Sequence, residues 1–123
     1  MILLDKLYTI KSQQVEGNDI HYLIGFNVDY EILKGHFPGN PIIPGACIIQ
    51  IISELVSKHL GFDVIMSEAK KIKFTNPIKP EKDNEVLFVI SLSTTDKGIA
   101  TAVTVSTEET IFAKISATFS RVL

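Results

Sequence analysis

The chemistry of this chain concentrates in one short loop. His36 sits between Gly35 and Phe37-Pro38-Gly39, and the run continues through Asn40-Pro-Ile-Ile-Pro-Gly45. Proline and glycine at this density exclude a helix or a strand and restrict the backbone. A histidine held on such a loop has the fixed placement that a general base needs, and its ordinary pKa lies near working pH. The same residue could instead serve the loop as a hydrogen-bond partner, and the local sequence leaves both readings open. Pro44-Gly45 opens a helix, whose first N–H groups lack intrahelical acceptors and lie at the positive end of the helix dipole. The helix start favours a developing negative charge, and a base beside such a site is a catalytic arrangement. His21 and His59 are weaker candidates. One falls on the polar side of a strand and the other near a helix C-terminus, where an imidazolium is simply favourable.

The elements that position this loop are legible from periodicity. Residues Leu7 to Gln14 read as a strand and Glu16 to Asp19 as a turn. Ile20, Tyr22, Ile24, Phe26 and Val28 then alternate with smaller or polar residues, which predicts a half-buried strand hairpinned to the first. A short helical turn is expected over Asp29 to Leu33. From Gly45 to Leu60 the spacing predicts a helix stopped by Gly61. Gln50, Ser53, Glu54 and Ser57 make one narrow polar stripe on it, and most of the remaining surface is apolar. A helix of that kind is buried, so its few polar residues call for partners. Asp63 to Phe74 reads as a strand and Thr75 to Pro80 as a loop. Strands over Glu85 to Thr95, from Ile99 to Val105 and from Ile111 to Ser120 form a meander. The class is α+β in two layers, with one long helix packed across an antiparallel sheet.

Composition bounds the rest. A chain of 123 residues, 46% hydrophobic and 21% charged, has the size of one globular domain spanning 1–123. Its net charge of -2 argues against a nucleic-acid binder carried by bulk charge. The lone Cys47 cannot form an internal bridge, and no Cys/His cluster has metal-ligand spacing, so a reducing, cytoplasmic setting and no metal are expected. No apolar run reaches the length of a membrane span, and the first residues lack the pattern of a secretory leader.

The stretch His36-Phe-Pro-Gly-Asn-Pro-Ile-Ile-Pro-Gly-Ala-Cys-Ile-Ile-Gln50 resembles the signature of the FabZ and FabA type β-hydroxyacyl-[acyl carrier protein] dehydratases. These are hotdog-fold proteins with the pattern His-Phe-Pro-Gly-x-Pro-x-x-Pro-Gly and then an acidic residue on the helix. Lys73-Phe-Thr-Asn-Pro-Ile-Lys-Pro80 resembles the loop that follows the helix in FabZ-type members. The resemblance implies an antiparallel sheet wrapped around one long central helix. It also implies a reaction, dehydration of a (3R)-3-hydroxyacyl thioester to the trans-2-enoyl thioester in fatty acid or related acyl-chain synthesis. His36 would take the α-proton, and the Gly45 N–H would hold the thioester oxygen. Phe37, Pro38, Gly39 and Pro44 would shape the substrate loop.

One departure falls on a catalytic position. Where the family has an acid, this chain has Gln50, and an amide has no proton to give at neutral pH. Three readings follow. Gln50 orients the hydroxyl while His36 returns the proton it took; or Glu54, one turn further on, supplies a displaced acid; or the chain binds acyl thioesters without turnover, as the inactive subunit of a dehydratase pair. For Glu54 the plain alternative is a pair with Lys58 or exposure to solvent. The family order of Glu followed four residues on by Gln is exchanged here. A hotdog thioesterase fits less well, because those enzymes commonly use a carboxylate at the same helix position. Cys47 reads as a small core residue rather than a nucleophile.

By resemblance no cofactor is implied, since the phosphopantetheine arm belongs to the carrier. The expected partners are an acyl carrier protein and a second copy of the chain, as a homodimer or a trimer of dimers. Lys70, Lys71 and Lys73 form the basic stretch that would meet an acidic carrier. Lysines also guard exposed strand edges, which would explain the same residues without a partner.

Overall fold

The computed structural model describes residues 2–35, 39 and 41–123. His36, Phe37 and Pro38, the first half of the candidate loop, lie outside the described residues, as do Met1 and Asn40.

Strands β1 (Tyr8–Glu16) and β2 (Asp19–Phe26) form the expected hairpin. The first strand continues to Glu16, which pairs with Asp19, so the turn shrinks to Gly17 and Asn18. Gly17 makes this possible with a φ of 61°, a left-handed conformation that costs a residue with a side chain more than glycine. The second strand is shorter than its alternation suggests and ends at Phe26. The Asn27 side-chain oxygen accepts the Asp29 N–H at 3.1 Å and starts a turn. Helix α1 (Glu31–Gly35) therefore begins two residues later than the composition implies.

Helix α2 (Gly45–Leu60) has the bounds its sequence predicts, and the Gly61 N–H closes it by donating to the Ser57 carbonyl. Its apolar side buries Ile48, Ile51, Ile52, Leu55 and Val56. Strands β3 (Val64–Phe74), β4 (Glu85–Thr95), β5 (Gly98–Ser106) and β6 (Ile111–Arg121) complete one antiparallel sheet, ordered β1-β2-β4-β5-β6-β3. Alternation decides which side faces α2. Phe88 and Ile90 on β4, Val103 and Val105 on β5, and Ile115 and Phe119 on β6 are buried in the same core as the helix. Each such side chain removed from water stabilises the fold by about 1.5–3 kcal/mol before chain entropy is counted.

A sheet wrapped on one long helix is the hotdog arrangement expected above. The strand that departs from chain order is β3, which crosses over to pair with β6 and becomes an edge. Register shifts between Met66 and Glu68 and between Ala69 and Lys71 mark bulges along it. Among the described residues, no helix is long and apolar enough to cross a membrane.

Candidate active site

Three of the candidate residues lie along α2. Pro44 is the N-cap, with extended backbone and no capping side chain. Its carbonyl accepts the N–H groups of Cys47 and Ile48 at 3.0 and 3.2 Å, which begins the ladder. Gly45 is the residue before that ladder, where a helix N–H lacks an intrahelical acceptor and the dipole is positive. The Phe74 ring packs directly against it. A Cβ on Gly45 would come within 2.9 Å of two ring carbons, so the close approach requires glycine or a displaced ring. The loop before the helix is tied to the loop after β3 by a hydrogen bond from the Ile43 N–H to the Ile78 carbonyl, 2.9 Å. Between them lies an apolar cleft of about 310 Å³, lined by Ile42, Ile43, Gly45, Ile48, Phe74 and Ile78 among others. An apolar cleft beside a helix-start donor can take an acyl thioester, carbonyl toward the donor and chain away from water.

Gln50 is half-buried on the same helix, roughly 7.5 Å further along its axis at the rise of an α-helix. It faces a second groove of about 510 Å³, which also exposes Ser53, Glu54 and Ser57 of the polar stripe. The stripe has partners. Ser57 Oγ accepts the Val64 N–H at 3.0 Å, and Ser53 Oγ donates to the Ile49 carbonyl at 3.3 Å. Glu54 keeps part of the exposure expected of it but does not pair with Lys58. Its Oε1 accepts the N–H groups of Leu3 and Leu4 at 3.0 and 2.9 Å and the Tyr8 hydroxyl at 3.0 Å. Its Oε2 accepts the Leu3 N–H at 2.8 Å and the Gln50 Nε2 at 2.9 Å. The partners are thus the N-terminal segment and Gln50 rather than Lys58, because Leu3 and Leu7 are fully buried and carry their backbone against the helix.

Tyr8 is the residue that the sequence does not announce, since its partner is 46 positions away. Burial pushes its hydroxyl pKa far above the ordinary value, and the Glu54 charge adds to the shift. Burial also raises the Cys47 thiol, in keeping with a packing role. Tyr22, whose hydroxyl donates to the Leu55 carbonyl at 3.4 Å, is raised for the same reason. His21 lies 3.7 Å from Glu16, and His59 is exposed in the last turn of α2.

The basic stretch lies on the edge strand. Lys71 pairs with Ser116, and Lys73 stands opposite Lys114 of β6, so a cation from a second strand joins the patch. Lys70 falls at the second bulge. Among the described residues no group of His, Cys, Asp and Glu is placed to hold a metal ion.

A family model described as ApeI-like, ApeI dehydratase, matches residues 12–114. The 3-hydroxyacyl-[acyl-carrier-protein] dehydratase FabZ of Syntrophobacter fumaroxidans is 28% identical over 87 residues, covering 64% of this chain and 56% of that protein. FabZ of Clostridium acetobutylicum is 30% identical over 97 residues, 70% of this chain and 67% of that protein. The chain spans 56% of the Syntrophobacter protein and 39% of a FabZ from Caulobacter vibrioides. Among solved structures, an uncharacterized protein from Erwinia carotovora superposes with a TM-score of 0.68 at 15% identity, over 90% of this chain and 91% of that one. The dehydratase heterocomplex ApeI:P from Xenorhabdus doucetiae gives 0.67 at 14% identity, over 91% and 96%. At these identities the superpositions speak for the fold, the same hotdog.

Proposed function

Because the chain belongs to the ApeI-like dehydratase family, we propose that it removes water from a (3R)-3-hydroxyacyl thioester carried on acyl carrier protein, giving the trans-2-enoyl thioester. The observation that carries this reading is helix α2, which places Gly45 at its first turn on an apolar cleft and Gln50 on a separate groove, inside the stretch that matches the family.

In this mechanism His36 abstracts the Cα proton of the substrate. The electron pair moves onto the thioester oxygen, which the Gly45 N–H and the helix dipole hold. Collapse of that anion forms the Cα–Cβ double bond and expels the 3-hydroxyl, which leaves as water with the proton returned from His36. Gln50 orients the hydroxyl and donates no proton in the net reaction. The elimination is redox-neutral, and the histidine ends as it began, so the scheme calls on no cofactor beyond the carrier's own arm. Phe37, Pro38, Gly39 and Pro44 shape the substrate loop around His36. Replacing an acid by an amide forgoes general acid assistance of about 10²–10⁴-fold, equivalent to roughly 3–5 kcal/mol of barrier. A slow enzyme is therefore expected.

The single-histidine scheme is preferred to a displaced acid at Glu54, whose two oxygens already accept from Leu3, Leu4, Tyr8 and Gln50. That engagement also favours one second reading, an inactive subunit of a dehydratase pair that binds acyl thioesters without turnover. As an active dehydratase the assembly is at least a homodimer, and a trimer of dimers is compatible with it; as an inactive subunit the chain pairs with an active dehydratase instead. The open β3 edge supports pairing with a second copy, because Ile65, Ile72 and Phe74 on it are 58%, 41% and 48% exposed. Lys70, Lys71 and Lys73, with Lys114, form the docking surface for the acidic carrier, in a cytoplasmic setting consistent with a lone buried thiol. Incubation of the protein with 3-hydroxyacyl carrier protein, followed by mass spectrometry, tests the reading: loss of one water per acyl chain supports it. Retention of the hydroxyl at stoichiometric enzyme, with binding intact, would favour the inactive subunit.

A further inference from the structure

We infer that Glu54 is a positioning residue, fixing the direction of the Gln50 amide and tying it to the buried N-terminal segment. The inference deepens the dehydratase reading and rests on it for its catalytic consequence. An ionised carboxylate only accepts hydrogen bonds, so the Gln50 atom 2.9 Å from Glu54 Oε2 has to be the amide nitrogen. This assigns the amide without reference to any substrate. With one Nε2 proton given to Glu54, the Gln50 carbonyl oxygen is turned away from that carboxylate.

Glu54 is in turn held from the far side. Oε1 faces three donors, the N–H groups of Leu3 and Leu4 and the Tyr8 hydroxyl. Leu3 and Tyr8 are almost fully buried, so these donors are fixed by the core rather than by solvent. The N-terminal segment, Glu54 and Gln50 thus form one hydrogen-bonded line in which each polarity dictates the next.

Glu54→Gln exposes this logic, because the new residue has nearly the same shape and one acceptor fewer. Its carbonyl oxygen is drawn to the three donors, leaving its NH₂ group toward Gln50. Two NH₂ groups cannot face each other, so Gln50 has to rotate and send its own nitrogen toward the groove. Tyr22→Phe is the control, since it removes a buried hydroxyl that bonds the same helix at the Leu55 carbonyl without touching Glu54.

The test pairs kinetics of trans-2-enoyl thioester hydration with the ¹⁵N–¹H signals of the Gln50 side-chain amide, assigned by their loss in Gln50→Ala. In Glu54→Gln, kcat is expected to fall about 10-fold or more, with KM within about threefold, and the amide signals to move. Tyr22→Phe should lower the unfolding temperature while leaving kcat and the amide signals in place. Unchanged signals in Glu54→Gln overturn the positioning role, and so does a wild-type kcat with moved signals. A wild-type protein that is inert, with signals that still move, contradicts the dehydratase reading alone and upholds the hydrogen-bonded line.

Discussion

Gln50 donates its side-chain amide to the Glu54 carboxylate at 2.9 Å, one turn along the helix that carries both. An amide donor meets a carboxylate acceptor here, and a change at either position alone breaks that bond. Gln50→Glu sets two carboxylates against each other and is expected to destabilise the protein by about 1–3 kcal/mol, the range for losing a hydrogen bond to a charged group and leaving its partner opposed. The double variant Gln50→Glu/Glu54→Gln restores a donor facing an acceptor and leaves the carbonyl of the new amide at position 54 for Leu3, Leu4 and Tyr8. Urea unfolding should place it within about 1 kcal/mol of wild type. Its turnover should exceed wild type by about 10-fold or more, since an acid now stands at the helix position that faces the groove. A double variant no more stable than Gln50→Glu contradicts the pairing.

Tyr8 supplies a pH dependence. Its hydroxyl pKa is raised by burial first and by Glu54 second, from an ordinary value of 10.0. A hydroxyl raised in the folded state adds stability in full below its unfolded pKa. That stability falls as pH climbs past the unfolded value and toward the folded one, because the unfolded chain gives up the proton first. Unfolding free energy measured by urea should therefore hold level to about pH 8, begin to fall as the unfolded chain's thiol ionises at about pH 8.5, and fall steeply above about pH 10. Tyr22, raised in the same direction, contributes to the slope, as does Cys47. Tyr8→Phe should lose about 1–3 kcal/mol at pH 8 and show a shallower alkaline fall. An equal slope in the variant would mean that Tyr8 is not the group responsible.

Gly45 is where the Phe74 ring meets the helix start. Gly45→Ala forces a Cβ to within 2.9 Å of that ring, and Phe74 is half exposed and can swing away. The stability cost should stay under about 1 kcal/mol. The KM for an enoyl thioester should rise several-fold as the cleft wall is displaced. Adding Phe74→Ala removes the clash, so the double variant should respond less to the alanine at 45 than wild type does. Additive effects in a double-mutant cycle would show that the two residues do not communicate.

The lysine patch makes a prediction about salt. Lys71→Glu/Lys73→Glu should raise KM for carrier-linked substrate by about 10-fold at low ionic strength and leave a small thioester surrogate unaffected. High salt should erase the difference between variant and wild type. Equal responses of the two substrates would leave the lysines as guards of the β3 edge.

Much of the fold is legible in the order of residues alone. Helix α2 carries its own bounds, since the proline-glycine loop ends at Gly45 and Gly61 stops the periodicity. The hairpins are legible because Gly17 and Gly98 punctuate alternating strands. The crossover of β3 to the edge beside β6 is not, because strand order depends on which apolar faces meet in three dimensions and periodicity is silent on that. The stripe of Gln50, Ser53, Glu54 and Ser57 announces that partners are needed, yet apart from Gln50 those of Glu54 lie 46 to 51 positions away in the N-terminal segment. Local spacing points instead to Lys58, a neighbour within reach on the same helix. His36, the residue the sequence marks most strongly, lies outside the described residues, so its role rests on the loop pattern and the family.

The most direct measurement is hydration of a trans-2-enoyl thioester in D₂O, with wild type compared against His36→Ala and Gln50→Ala. Wild type is expected to give the 3-hydroxyacyl thioester with one deuterium at Cα, His36→Ala to fall by about 10²-fold or more, and Gln50→Ala to lose less than His36→Ala. His36→Ala working within a few-fold of wild type, or a wild type that incorporates no deuterium at all, would contradict the account.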